Sequence, residues 1–148
     1  MRATAKGMDT MLGQMRDVTD IIAATALRYY PDGGERIYST HPDRFPDAGF
    51  KRFEDAPTMA RVRDAKAPVL TNGLEALQAG FPDWQRIVDG GCDAIVNIPV
   101  RAPSGEVLGQ LNLMARAGRF STETLARLQT IADQNASCFL DQTSREIL

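Results

Sequence analysis

Cys92, Cys138 and His41 are the only cysteines and the only histidine in the 148 residues, and they bound the covalent and metal chemistry open to the chain. A metal site normally takes three or four ligands, so His41 alone makes none and is expected on the surface of a loop. Two cysteines so far apart in sequence do not build the disulfide framework of a small secreted domain. One bridge between them stays open on sequence grounds; as reduced thiols both are expected to be packing groups. The sequence contains no phosphate-binding glycine fingerprint, no Gly-x-Ser-x-Gly elbow and no His-Glu-x-x-His. No catalytic residue, no metal and no cofactor is therefore expected, and the chain reads as one that binds rather than transforms.

The composition agrees. At 43% hydrophobic and 24% charged residues the chain is ordinary globular material, and its length suits one domain spanning residues 1–148. Seventeen Lys and Arg against nineteen Asp and Glu leave no basic excess to neutralise phosphates, so nucleic acid is not expected as a partner. The first residues are followed by no apolar signal region, and the run Ile21–Leu27 is far shorter than the ~20 residues that cross a bilayer. A cytoplasmic protein without a membrane partner is the expectation.

The elements that must position any site follow from periodicity. Met8, Met11, Leu12, Met15 and Val18 recur at helical spacing, which predicts an N-terminal helix over 1–17. Residues 21–40 read as a β-hairpin about the turn Pro31-Asp32-Gly33-Gly34, whose glycines would supply positive φ. Residues 41–53 read as an ordered loop carrying Phe45, Phe50 and Phe53. A short helix runs from Pro57 to Lys66, a short strand over 68–71, and two abbreviated helices over 74–79 and 82–89. Residues 93–100 and 107–115 form a second antiparallel hairpin. Ser121 caps a long terminal helix over 121–148, on the order of 40 Å at 1.5 Å per residue. Two hairpins bracketed by terminal helices make an α+β domain with an antiparallel sheet.

Period-two logic then separates the faces of the second hairpin. Val96, Ile98, Val100, Leu111 and Leu113 share one face, which the terminal helices would cover. Ile95, Asn97, Pro99, Gln110, Asn112 and Met114 share the other. The middle of the chain, with Met59, Leu77, Trp84, Ile87 and Val88, is expected over that second face. Asn97 and Asn112 would lie beneath it, in an apolar chamber with a few placed amides.

This order of elements resembles a GAF domain over about residues 20–140. The resemblance is carried by Glu35-Arg36-Ile37-Tyr38-Ser39-Thr40-His41-Pro42, Phe45-Pro46, Ala79-Gly80-Phe81-Pro82-Asp83, the run from Gly90 through Asn97-Ile98-Pro99-Val100, and Leu108-Gly109-Gln110-Leu111-Asn112-Leu113. It is similar above all to small stand-alone bacterial members. The resemblance implies a central antiparallel sheet of five or six strands, terminal helices on one face, and ligand-cradling short helices and loops on the other. It also implies binding of a cyclic nucleotide, bilin, haem, amino acid or other small molecule, and dimerisation through the terminal helices. This chain departs from such relatives at Thr58-Met59, where they often carry Trp, and in its alanine-rich first strand, Ile21–Ala26.

One catalytic class within that family reduces free methionine sulfoxide. It needs a thiolate to attack the sulfoxide and a second thiol to resolve the intermediate. Cys92 lies closer to Pro99 than that family's catalytic thiol, Phe53–Val62 contains no cysteine, and Ala94–Asn97 lacks the aligned acidic residue. The expectation is a non-enzymatic small-molecule-binding sensory domain, homodimeric through 1–17 and 121–148. Its candidate ligand-binding residues are Tyr38, Phe81, Trp84, Cys92, Asn97 and Asn112, and occupancy would shift the covering elements between about residues 45 and 92. The alternatives are a ligand-free dimerisation module and a thiol-dependent reductase using Cys92.

Overall fold

A computed structural model describes residues 2–140. The described residues form a six-stranded antiparallel sheet and five α-helices. In chain order these are α1 (Arg2–Arg16), β1 (Ala23–Tyr30), β2 (Gly33–Ser39), β3 (Phe50–Arg52), α2 (Pro57–Ala65), β4 (Val69–Asn72), α3 (Leu74–Gly80), α4 (Trp84–Asp89), β5 (Ala94–Arg101), β6 (Val107–Ala115) and α5 (Thr122–Gln134). The strands lie in the order β3-β2-β1-β6-β5-β4, with both hairpins intact and β1 joined to β6 at the centre.

The two faces of the sheet separate as alternation dictates. Val96, Ile98, Val100, Leu111 and Leu113 pack with Met8, Met11, Leu12 and Met15 of α1 and with Leu128 and Ala132 of α5. Ile95 and Met114 point the other way, into a cluster with Phe45, Leu77, Ile87 and Cys92. Leu27, Phe53, Ala56 and Met59 form a third cluster. Terminal helices thus cover one face and α2, α3 and α4 the other.

Ser121 caps α5 as expected, its Oγ accepting from the Thr124 amide at 3.1 Å. The single long terminal helix does not form: α5 stops at Gln134, and Ala136–Phe139 tighten into a 3-10 turn. Asn135 supplies the reason. Its side-chain Nδ2 donates to the Ile131 carbonyl at 2.8 Å, while its backbone amide is shared between Ile131 and Ala132. A side chain that competes for the i−4 carbonyl favours local turns over continued α-helix. The tighter turn carries Phe139 onto Gly109, where an added Cβ would stand 2.8 Å from the ring. Residues 141–148 of the expected helix lie outside the described residues.

Two further expectations are corrected. Gly33 and Gly34 belong to β2 rather than to the turn, and neither has positive φ. Gly33 is required by close approach instead, since a Cβ there would lie 2.2 Å from the Lys51 carbonyl oxygen. That oxygen belongs to β3, a strand within the segment read as loop. Phe50 sits in this edge strand and is exposed, outside the three buried clusters.

Pro99 in β5 looks out of place, because proline cannot donate to a ladder. β4 pairs with β5 only as far as Asn97, so Pro99 lies beyond the end of β4. Its carbonyl turns to α5 and accepts from Gln129 Nε2 at 2.9 Å. The side chain of Arg101 next grips Asp133 of α5 through two hydrogen bonds, locking strand to helix.

Candidate functional site

Between the second face of the sheet and α2–α4 lies a cavity of about 270 Å³. Its floor is built by register. Thr25 of β1 pairs with Asn112 of β6, which pairs with Asn97 of β5, so three short polar side chains stand in one cross-strand row. Gln110 follows two residues along β6 on the same face. Side chains paired across neighbouring strands stand close enough to interact directly.

The row is a directed hydrogen-bond network. Asn97 Nδ2 donates to Asn112 Oδ1 at 2.6 Å, and Gln110 Nε2 donates to the same oxygen. Asn112 Nδ2 donates to Thr25 Oγ1 at 2.9 Å. The Tyr29 hydroxyl donates to Gln110 Oε1 and also lies 3.3 Å from the Met59 carbonyl of α2. Burial pushes the Tyr29 phenol well above its ordinary range, so it stays a donor. One atom is left over: Asn97 Oδ1 is buried without a partner, on a residue only 2% exposed.

Leu27, Phe45, Met59, Phe81, Ile87, Ile95 and Met114 supply apolar wall around this floor. Arg36, Lys51, Asp55 and Asp83 add two charges of each sign. Arg36 donates through Nη1 to the Pro46 carbonyl at 2.8 Å, while its Nε is buried and unpartnered. Burial lowers the guanidinium below its usual value, and the nearby Asp83 carboxylate partly restores it.

Of the six candidate residues, Phe81, Asn97 and Asn112 line the cavity. Trp84, the first residue of α4, is partly buried against the adjoining cluster of Leu77, Ile87 and Cys92 and does not line the cavity. Cys92 is buried in the same cluster, 2% exposed, its thiol directed at the Gly90 carbonyl. Tyr38 lies on the opposite face, where its hydroxyl donates to Asp9 of α1 at 2.6 Å. The cause is a β-bulge. Ala26 pairs with Tyr38 but Leu27 pairs with Arg36, so Ile37 is an extra residue in β2. One inserted residue reverses the alternation, leaving Arg36 in the cavity and turning Tyr38 away. Arg36, Thr25, Gln110 and Met59 also line the cavity; Gln110 and Met59 are expected at this face from the sequence but are not among the six candidates, and Arg36 and Thr25 are not expected there. Thr25 carried a usable signal, as the one polar residue between Ala23 and Leu27.

His41 is exposed, 2.7 Å from Thr40 Oγ1. Among the described residues no group of three or more His, Cys, Asp or Glu is placed to hold a metal ion, and no helix is long and apolar enough to cross a membrane.

Burial pushes the Cys92 thiol from 9.0 up to about 11, with Asp93 adding to the rise and Arg44 and Arg116 opposing it. The folded state therefore favours the protonated thiol. The stability this contributes is complete below about pH 9, where folded and unfolded chains are both protonated, and is lost as pH rises through about 11. Only the thiolate is nucleophilic. Iodoacetamide at pH 7.5 is expected to alkylate Cys92 about 100-fold or more slowly in the folded protein than in urea. Peptide mapping by mass spectrometry separates it from Cys138. Equal rates in the two states would remove the packing role.

A GAF domain profile matches residues 7–139, and the chain belongs to the GAF family. No functionally curated protein matches it. Among solved structures it is similar to the GAF domain/HD domain protein from Geobacter sulfurreducens, with a TM-score of 0.75 at 10% identity over 93% of this chain and 92% of that one. It is also similar to the GAF domain of a two-component sensor histidine kinase from Bacillus halodurans, with a TM-score of 0.71 at 14% identity over 91% and 92%. A type II free methionine-R-sulfoxide reductase from Thermoplasma acidophilum gives a TM-score of 0.65 at 14% identity over 95% and 96%. At these identities the likeness is one of fold.

Proposed function

We propose that this chain is a non-enzymatic sensory or regulatory module that binds one small molecule in the cavity between the sheet and α2–α4. The observation that carries the reading is the cavity itself, about 270 Å³ with an unpartnered Asn97 oxygen on its floor. An apolar chamber with a few convergent polar groups is the usual form of a small-molecule site. The helices above it have only nine, seven and six residues. Short elements of this kind are the ones a ligand can shift. The likeness to the GAF domain of a sensor histidine kinase favours a sensory role.

A reductase would need two thiols in reach of one substrate. Here Cys92 packs on the cavity side of the sheet and Cys138 on the terminal-helix side. The protonated, enclosed state of Cys92 supports binding over thiol chemistry. The proposal includes a cytoplasmic setting and self-association through the outer surfaces of α1 and α5, near which Leu140 is 56% exposed.

Native mass spectrometry of the purified chain tests both parts. The expected spectrum shows a dimer carrying one small molecule per chain, released on denaturation. Adding that molecule at ~100 times its Kd should stabilise the fold by about 2.7 kcal/mol, several degrees in melting temperature. A chain that takes up no mass from a metabolite extract and shows no thermal shift would sink the binding reading.

A further inference from the structure

We infer that the cavity selects a compact organic monoanion, a carboxylic acid with an apolar body and an N–H or O–H donor at its far end. The inference rests on the binding reading above and names the ligand class that the same cavity would take.

The donor requirement comes from Asn97. Its amide orientation is set by its neighbours: Asn112 Oδ1 already receives the N–H groups of Asn97 and Gln110, so Asn97 must present nitrogen to it. Oδ1 is left buried with no partner. A buried acceptor without a donor is costly, and this side chain lines the cavity. A donor on the ligand would satisfy it.

The anion requirement comes from the other end. Arg36 commits one N–H to the Pro46 carbonyl, and no hydrogen bond joins it to Asp83. A guanidinium cannot lose its charge in a protein, and this half-buried one has its Nε enclosed without a partner, which favours a paired anion. The N-terminus of α2 supports the same end. No side chain caps it, its first residue is Pro57, and Thr58 and Met59 also line the cavity. The free amides and positive pole of a helix start favour negative charge. Met59 lies beside β2, since a Cβ on Gly34 would meet its sulfur at 3.1 Å. The helix start and Arg36 therefore belong to one region.

Asp55 and Asp83 also line the cavity and weigh against a second negative charge on the ligand. A phosphate monoester, near −2 at neutral pH, would face two carboxylates as well as Arg36 and Lys51. Arg36 on β2 and Asn97 on β5 are separated by β1 and β6, three steps of ~4.8 Å at the backbone. Both side chains line the cavity. In register, Arg36 stands in one row with Leu27 and Gln110, and Asn97 stands in the next inward-facing row with Asn112 and Thr25. Leu27 together with Met59, Phe45 and Phe81 of the cover supplies the lining that an apolar body would meet.

The test is ligand-observed NMR on the full chain with a matched fragment panel. It contains small monocarboxylic acids bearing a distal hydroxyl or amine, with both aromatic and aliphatic bodies. Each acid is paired with its neutral carboxamide and with the acid lacking the distal donor; 4-hydroxyphenylacetate, 4-hydroxyphenylacetamide and phenylacetate form one such set. Acids with the donor should bind tightest, with carboxamides at least about 10-fold weaker and donor-less acids weaker by roughly 3- to 10-fold. Arg36→Gln should narrow the acid–amide gap to less than about threefold, and Arg36→Lys should keep most of it. Asn97→Ala should erase the advantage of the distal donor alone, with circular dichroism showing each variant folded. Carboxamides that bind as tightly as acids, or an acid preference that survives Arg36→Gln, would overturn the ligand class while leaving the binding site standing. A panel in which no member binds, charged or neutral, would overturn the site as well.

Discussion

Gly109→Ala should lower the melting temperature by roughly 6–12 °C, the shift for about 3 kcal/mol in a domain of this size. The residue stands at the centre of the sheet, paired with Arg28 on β1 and Val100 on β5. A Cβ there would lie 2.1 Å from the Leu27 carbonyl oxygen and 2.8 Å from the Phe139 ring. The ring has little freedom, because Phe139 is fully enclosed, and the carbonyl belongs to a central strand. Both neighbours would have to move, so β1 would separate from β6 and the 3-10 turn would lose its seat. Gly13→Ala is the matched control. It lies in α1 with nothing within 4 Å of the new methyl group, so it should stabilise the chain by about 0.5–1 kcal/mol. Thermal unfolding followed by circular dichroism measures both. A Gly109→Ala protein melting within about 2 °C of the parent would show that the sheet relaxes more easily than central packing allows.

The sequence shows the division of the sheet into two faces because that division depends on local alternation. Val96, Ile98 and Val100 against Ile95, Asn97 and Pro99 is a period-two pattern that no distant contact needs to complete. Asn97 and Asn112 were readable for the same reason: they fall on the face left after the apolar set is assigned. What escaped depends on the chain meeting itself. β3 is three residues long and exists because Gly33 lets the Lys51 carbonyl approach, an encounter between residues far apart in sequence. The bulge at Ile37 is set by the ladder between β1 and β2, so counting by twos along β2 sends Tyr38 to the wrong face. The break at Asn135 likewise needs the partners of its side chain, Ile131 and Gln14 of α1, before it becomes visible. Arg36 illustrates the consequence for the site. A charged residue inside a strand reads as solvent-facing until α2 and the Phe45 loop are placed above it.

Asn112→Ala should destabilise the chain by about 2–4 kcal/mol, while Asn97→Ala should cost about 1 kcal/mol or less. The difference follows from position in the network rather than from burial, since the two asparagines are 7% and 2% exposed. Asn112 is the hub: its oxygen receives two donors and its nitrogen reaches Thr25. Removing it strands the amide groups of Asn97 and Gln110 together, and a buried donor left unpaired costs roughly 1–3 kcal/mol. The sum stays below the simple total, because the adjoining cavity lets water reach part of the gap. Removing Asn97 takes away one of two donors to Asn112 and also removes the unpartnered oxygen itself, so loss and relief offset. Loss of the hub also detaches Gln110 from the row, and Gln110 is what the Tyr29 hydroxyl holds beside the Met59 carbonyl of α2. Asn112→Ala should therefore raise amide hydrogen exchange in α2 as well as lower global stability, whereas Asn97→Ala should leave α2 protected. Urea unfolding together with hydrogen-exchange mass spectrometry checks both halves. Equal costs for the two substitutions would mean the network has no hub, and unchanged exchange in α2 would mean the floor of the cavity is not mechanically joined to its cover.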